Sequence, residues 1–163
     1  MTTTMTTTTT DAVPMKPAVL INVADVLALL QRGPAPVLLD CRFELSDPTA
    51  GSKAYAAGHP AGAIYAHLDR DLSGPKGNDA LSAAFTGRHP LPDSATFAAT
   101  VGRWGIGPHT MVVCFDAHGA PYASRAWWLL RWLGHTRVAV LDGGLDAWVA
   151  AGGAMTTDVP RPT

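Results

Sequence analysis

Short apolar runs fill the chain from about residue 18 onward, separated by segments in which apolar residues recur every three or four positions. The runs lie at 19–21, 37–39, 63–65, 111–115 and 138–141 and consist mainly of Val, Leu and Ile. Such runs are typical of buried strands, and the spacing between them is typical of amphipathic helices. Strands of this kind that alternate with helices predict an α/β fold, in which a parallel sheet carries helices on both faces.

Capping residues and glycines set the expected limits of the helices. We predict helical structure from the cap at Asn22 to Gly33, over 53–57, from a cap at Asp93 or Ser94 to Gly105, over 122–133, and through Leu145, Trp148 and Val149 to Gly152. The segment 72–92 is rich in Gly, Pro and Ser, which predicts a long loop between two of these helices.

The two ends of the chain differ in composition from its middle. Residues 1–17 begin with a run of Thr and Met, which predicts a disordered N-terminus without the basic and apolar regions of a secretory signal. We therefore predict one domain over residues 18–155. Residues 156–163 contain two prolines and are interpreted as the start of an interdomain linker or as a tail.

Overall composition narrows the class of function. Hydrophobic residues make up 47% of the 163 residues and charged residues 15%, which is typical of a globular domain with a core. The net charge of −1 argues against nucleic acid or an anionic membrane as a main partner. Two cysteines suit a reducing compartment, and we expect a cytoplasmic location. No His and Cys group has metal-ligand spacing, so neither a metal nor a cofactor is expected.

Asp116 follows the apolar run at 111–115 and precedes a short loop that opens the helix at 122. A strand, a tight loop and a helix N-terminus together make a cradle of backbone N–H groups that binds anions. We expect the Asp116 carboxylate to fill this cradle itself by accepting hydrogen bonds from the loop amides. The carboxyl ends of parallel strands converge, so two further segments, 40–42 and 142–144, should lie beside the loop.

Six blocks of sequence form a series that carries a family likeness. They are 38–42 (LLDCR), 58–63 (GHPAGA), 67–73 (HLDRDLS), 87–92 (GRHPLP), 122–131 (YASRAWWLLR) and 140–148 (VLDGGLDAW). Together they resemble the rhodanese superfamily, and in particular the N-terminal half of two-domain thiosulfate and 3-mercaptopyruvate sulfurtransferases. The likeness covers roughly residues 18–155, with Ala61 where the family usually has Pro.

The resemblance implies a rhodanese-like fold with a five-stranded parallel sheet, and transfer of sulfane sulfur to cyanide or a thiol. In the family's catalytic domains a cysteine opens the loop after the fourth strand, and Asp116 stands at that position here. It therefore implies a chain that is inactive alone and serves as the structural, cleft-lining half. The pseudo-active loop would comprise Asp116, Ala117, His118, Gly119, Ala120, Pro121 and Tyr122.

The resemblance also implies a partner, namely a catalytic C-terminal rhodanese domain that is present in cis or as a separate chain. A small sulfur-donor anion is the implied ligand. The alternative is a stand-alone, inactive rhodanese module that binds a protein partner in regulation.

Three side chains are candidates for lining a cleft or contacting substrate, namely His59, Arg42 and Arg125. The resemblance places His59 on a loop that faces the cleft, although the ring could instead order the neighbouring turn. Arg42 could bind an anion at the sheet edge or pair with Asp40 or Asp142, and ion pairing is the more common use. Arg125 lies in the first turn of its helix, where a structural role is again the more common one.

The cysteines and tryptophans have structural alternatives as well. Cys41 could act as a surrogate sulfur acceptor, but a small buried residue without a cradle is the preferred interpretation, and Cys114 is expected to be a buried core residue. Trp127 belongs to the apolar face of its helix, whereas Trp128 and Trp132 are four positions apart and point elsewhere. We predict that these two contribute to an interface rather than pack against the loop at 72–92.

Overall fold

The computed structural model describes residues 18–76 and 87–162. Its strands are β1 (Leu20–Ile21), β2 (Val37–Asp40), β3 (His59–Pro60), β4 (Ile64–Tyr65), β5 (Val112–Phe115), β6 (Val138–Leu141) and β7 (Met155–Thr156). Its helices are α1 (Val23–Arg32), α2 (Ala50–Ala57), α3 (Ser94–Arg103), α4 (Pro121–Trp132) and α5 (Gly144–Ala150). The predictions for 1–17 and for the middle of the 72–92 loop fall on residues outside this description.

The five apolar runs form one parallel sheet in the order β1-β6-β5-β2-β4. All four pairings in this sheet are parallel, and every residue of β5 and β6 is buried. Residues buried on both faces must be apolar throughout, which explains why these strands read as continuous rather than alternating runs. The predicted five-stranded parallel sheet is therefore confirmed.

Helices cover both faces of the sheet, as predicted. On one face, Val26 of α1 and Trp148 of α5 pack with Val113 and Phe115. On the other face, residues of α3 and α4 pack with Val112 and Cys114 in a second cluster. Successive residues of β5 alternate between the two clusters because neighbouring side chains on a strand point to opposite faces.

The helix limits agree closely with the capping signals. Asn22 accepts a hydrogen bond from the Asp25 amide at 2.8 Å, and Asp93 accepts one from Thr96 at 3.0 Å, so Asp93 rather than Ser94 is the cap. The predicted C-cap at Gly105 is one residue late, because Trp104 is the cap. Helix α2 starts at Ala50, three residues before the predicted turn.

The pairing of β3 with β7 was not predicted. These two-residue strands form a small antiparallel sheet with His59 opposite Thr156, and the predicted domain boundary at residue 155 falls inside it. Strands this short carry no periodicity that a sequence could reveal. The helices within the described residues include none that is long and apolar enough to cross a membrane.

Candidate functional site: a self-filled anion cradle

The Asp116 side chain lies at the carboxyl end of β5, is 2% exposed, and accepts four backbone hydrogen bonds. Its Oδ1 accepts from the amides of His118 and Ala120, both at 2.9 Å. Its Oδ2 accepts from Tyr122 at 2.9 Å and Ala123 at 3.0 Å. The cradle expected from the sequence is therefore present, and the carboxylate of this chain occupies it.

The loop reaches this geometry through two consecutive residues with a left-handed backbone. Gly119 has φ 77° and Ala120 has φ 76°, and Pro121 then begins α4 with the fixed φ that suits the first helical position. A left-handed alanine costs about 1 kcal/mol. The hydrogen bond that the Ala120 amide donates to the Asp116 carboxylate offsets part of this conformational cost.

A cavity of about 300 Å³ opens beside the loop, between residues 116–120 and the turn at 142–146, with Leu20 on its wall. The turn approaches closely because Gly144 has no side chain, since an added Cβ would lie 2.5 Å from the Asp116 carbonyl oxygen. Leu145 donates its amide to that oxygen at 3.0 Å. Asp142 and Asp146 bring further negative charge to the rim, which disfavours binding of an external anion in this cavity.

The convergence of three segments is confirmed only in part. The Asp116 loop and residues 142–144 share the cavity, whereas residues 40–42 are buried and do not line it. Cys41 donates its amide to the Phe115 carbonyl at 2.8 Å, which places it beside the base of the loop, but its side chain is 1% exposed.

The two cysteines are free and buried, and their side chains interact with each other. The side-chain contact with Cys114 and burial together raise the pKa of the Cys41 thiol well above its usual value, and its Sγ donates to the Leu39 carbonyl oxygen at 3.6 Å. A thiol that stays protonated at neutral pH is a poor nucleophile. The buried, structural interpretation of Cys41 therefore fits the geometry, and the surrogate-acceptor interpretation does not.

Arg42 forms a structural ion pair with Asp40. Its Nη2 lies 2.7 Å from the Asp40 carboxylate and 2.8 Å from the Gly58 carbonyl oxygen, while its Nε donates to the same carboxylate at 3.0 Å. With 11% of its side chain exposed, Arg42 is committed to these partners. These contacts are those of the ion-pair alternative, with Asp40 rather than Asp142 as the partner, and a contact with an anionic substrate stays a prediction.

His59 is completely buried and does not line an open cleft in this chain. Its Nδ1 lies 2.7 Å from the Tyr55 carbonyl oxygen and its Nε2 lies 2.9 Å from that of Asp158. The ring stacks on Tyr55 with 3.8 Å between centroids. These contacts with α2 and with the segment after β7 fit the alternative in which the ring orders its own surroundings, and a place for His59 in a cleft stays a prediction.

Arg125 holds the ends of the 72–92 loop against α4. Its Nε donates to the Leu72 carbonyl at 2.9 Å, and its Nη2 donates to those of His89 at 2.9 Å and Pro90 at 3.2 Å. Burial lowers the pKa of the guanidinium from its usual value. These bonds give Arg125 a structural role, and a contact with substrate stays a prediction.

Sequence reasoning missed an aromatic and charged cluster at the edge of the loop. His118 Nε2 lies 2.8 Å from Glu44 Oε1, with 42% and 47% of the two side chains exposed. Tyr122 packs edge-on against Phe43 and against His118, and burial raises the pKa of its phenol. Glu44 follows β2 by four residues, so the convergence of strand ends was the signal that could have indicated it.

Trp128 and Trp132 project from α4 away from the core. They are 46% and 42% exposed, and their rings stack 6.1 Å apart at 12°. Arg131 lies 5.4 Å from the centre of the Trp127 ring, a distance at which a cation is attracted by the ring face.

Within residues 18–76 and 87–162, no group of three or more His, Cys, Asp or Glu side chains could hold a metal ion.

Comparison with known proteins assigns this architecture. The model of the Rhodanese-like domain matches residues 22–151. The chain belongs to the rhodanese family. It is 45% identical over 143 residues to the "Probable 3-mercaptopyruvate sulfurtransferase" of Pseudomonas aeruginosa, covering 87% of this chain and 48% of that protein. It is 33% identical over 134 residues to the thiosulfate sulfurtransferase of Bos taurus, covering 80% of this chain and 41% of that protein.

A solved rhodanese structure matches in three dimensions as well. The 3-mercaptopyruvate sulfurtransferase from Leishmania major superposes with a TM-score of 0.77 at 32% identity, covering 93% of this chain and 41% of that one. The chain thus spans about half the length of the curated relatives that it matches. It is a rhodanese domain related to thiosulfate and 3-mercaptopyruvate sulfurtransferases.

Proposed function

We propose that this chain is the non-catalytic, N-terminal half of a thiosulfate or 3-mercaptopyruvate sulfurtransferase and packs against a rhodanese domain that carries the reactive cysteine. The observation that carries this proposal is the state of the cradle, in which the Asp116 carboxylate takes all four of the amides described above. In this arrangement the loop is structurally complete without a thiol or an external anion.

Sulfane sulfur transfer needs a thiolate that attacks the donor sulfur and then carries it as a persulfide. A carboxylate cannot hold sulfur in this way, and the only thiols of this chain are Cys41 and Cys114. Both are buried, and the high pKa of Cys41 keeps it protonated. The nucleophile therefore comes from another domain, either in cis or as a separate chain.

The lengths and names of the relatives support a non-catalytic half that is paired with a catalytic one. They are about twice as long as the matched region, which leaves room for a second domain of similar size. Their names include both 3-mercaptopyruvate and thiosulfate as donors, so we assign a small anionic sulfur donor without choosing between the two. Free, buried cysteines suit the reducing conditions of the cytoplasm, and we propose that location.

The experiment is a sulfurtransferase assay on the purified chain, with thiosulfate and cyanide in one series and 3-mercaptopyruvate and a thiol in the other. We expect no turnover above background in either series. Turnover comparable to that of the P. aeruginosa relative would overturn the proposal. Loss of that turnover in Cys41→Ser, but not in Cys114→Ser, would then identify Cys41 as the carrier.

A second experiment supplies the missing half. The C-terminal half of the P. aeruginosa relative is fused after Thr163, and the chimera is assayed with the same donors. If the chimera is active and loses its turnover when its loop cysteine is changed to serine, this result supports a non-catalytic N-terminal half that works with a cysteine-bearing half. An inactive chimera whose two halves remain independent would instead favour a stand-alone module that binds another protein through its exposed tryptophans.

A further inference from the structure

Helix α4 presents two different surfaces. Its buried side consists of Ala123, Ala126, Leu129 and Leu130, which pack into the core on one face of the sheet. Its other side carries the stacked pair Trp128 and Trp132. The two indoles together expose on the order of 200 Å² if a tryptophan side chain has about 250 Å² in full. This area is large for two residues of one helix and is concentrated at a single spot.

The exposed residues on this side of α4 are of the types that are common at protein–protein interfaces. Tryptophan and arginine are enriched among the residues that dominate binding at protein interfaces. The two indoles are already ordered against each other, and Arg131 is held over the neighbouring Trp127. A preordered aromatic pair loses little conformational freedom on binding. An apolar partner surface with an acidic side chain at its rim would match it.

We propose that Trp128 and Trp132 form the docking surface for the cysteine-bearing rhodanese domain. This inference rests on the proposed function and adds the surface by which the two halves meet. The occupant follows from size and continuity, because the matched relatives are about twice as long as the region they share with this chain, and α4 begins at Pro121 in the Asp116 loop.

The distances along α4 allow one partner domain to cover both the Asp116 loop and the tryptophan pair. At about 1.5 Å per residue, Trp128 lies roughly 10 Å and Trp132 roughly 16 Å along the axis from Pro121. A standard interface buries about 800 Å² on each partner and is therefore about 30 Å across. A domain that faces the Asp116 loop is thus wide enough to reach the tryptophan pair.

The test uses 5-fluorotryptophan labelling and ¹⁹F NMR on the chain and on the chimera with the C-terminal half of the P. aeruginosa relative. The chain has five tryptophans, and Trp128→Phe and Trp132→Phe assign the two signals of interest. We expect both signals to lose most of their solvent-isotope shift in the chimera. Trp104 and Trp148, which are 7% and 2% exposed, should stay unchanged and serve as internal controls.

A binding measurement gives an independent readout. With the C-terminal half supplied as a separate, folded chain, Trp128→Ala and Trp132→Ala should each weaken association by at least about tenfold, as expected for interface hot spots. Val149→Ala, which removes an apolar side chain from α5 that is more exposed than either tryptophan, should change the affinity less than about twofold. Circular dichroism of each variant separates loss of binding from loss of fold.

The outcomes of these experiments test the docking surface and the proposed function separately. An active chimera in which both indoles stay exposed would overturn the docking surface and leave the proposed function intact. An inactive chimera with protected indoles would overturn the function and keep the surface. Protection that appears in the chain alone and grows with its concentration would assign the surface to a second copy of this chain, which would also overturn the inference.

Discussion

Removing the Asp116 carboxylate should destabilise this domain more than most single substitutions do. In Asp116→Ala, four amides that now donate at 2.9–3.0 Å lose their acceptor. The Ala123 amide is buried, and leaving it unsatisfied costs about 1–3 kcal/mol. The other three are partly buried, so water replaces the carboxylate in part, at roughly 1 kcal/mol each.

The expected loss in the free energy of unfolding is therefore about 4–6 kcal/mol, which corresponds to a Tm lower by roughly 10–20 °C for a domain of this size. Asp116→Asn keeps one acceptor oxygen but turns an NH2 group towards two donor amides, so we expect about half of that loss.

Urea unfolding followed by circular dichroism measures these differences, provided that the slope of the transition is unchanged. Asp142→Asn is the matched control, since Asp142 lies on the same cavity but is exposed, and its effect should stay within about 0.5 kcal/mol. If Asp116→Ala costs less than about 1 kcal/mol, the four hydrogen bonds are not the stabilising element described here.

Three further predictions follow from the same contacts. Native protein at pH 7–8 should show no thiol reactive towards Ellman's reagent, because the raised pKa of Cys41 keeps it protonated and both cysteines are buried; unfolding should release two, and a fast-reacting native thiol would contradict this. In thermal melts, Ala120→Gly should stabilise by about 0.5–1 kcal/mol and Gly119→Ala should destabilise by about 1–2 kcal/mol, since both positions are left-handed; equal effects of one sign would refute the strain argument. Arg42→Met should cost about 3–5 kcal/mol in urea unfolding by leaving the buried Asp40 carboxylate unpaired; a neutral result would mean that the pair is dispensable.

The sheet and helices could be predicted because their causes are local. Continuous apolar runs mark β5 and β6 as buried on both faces, and side chains such as Asn22 and Asp93 cap the helices that follow them. Asp116 could be recognised for a similar reason, since a strand, a short loop and a helix N-terminus lie within about ten residues of sequence. These features require no knowledge of distant contacts.

The Arg42–Asp40 pair could be offered as an alternative because it is local, but the distant carbonyl partners of Arg42, Arg125 and His59 could not be predicted. Arg42 reaches Gly58, Arg125 reaches His89 and Pro90, and His59 reaches Asp158. A sequence pattern contains side chains and their spacing but says nothing about which carbonyl groups will be left without donors. The sequence could therefore offer a structural alternative for these residues but could not name all of the groups that they contact.

The contact between His59 and Asp158 also sets an order of events during synthesis on the ribosome. The two residues are 99 positions apart, so α2 and the histidine emerge long before the segment that covers them. Until that segment has been made, β3 has no partner strand and the imidazole has only the Tyr55 carbonyl. A released chain truncated before residue 155 would thus lack the partner strand of β3, although it contains all five strands of the parallel sheet.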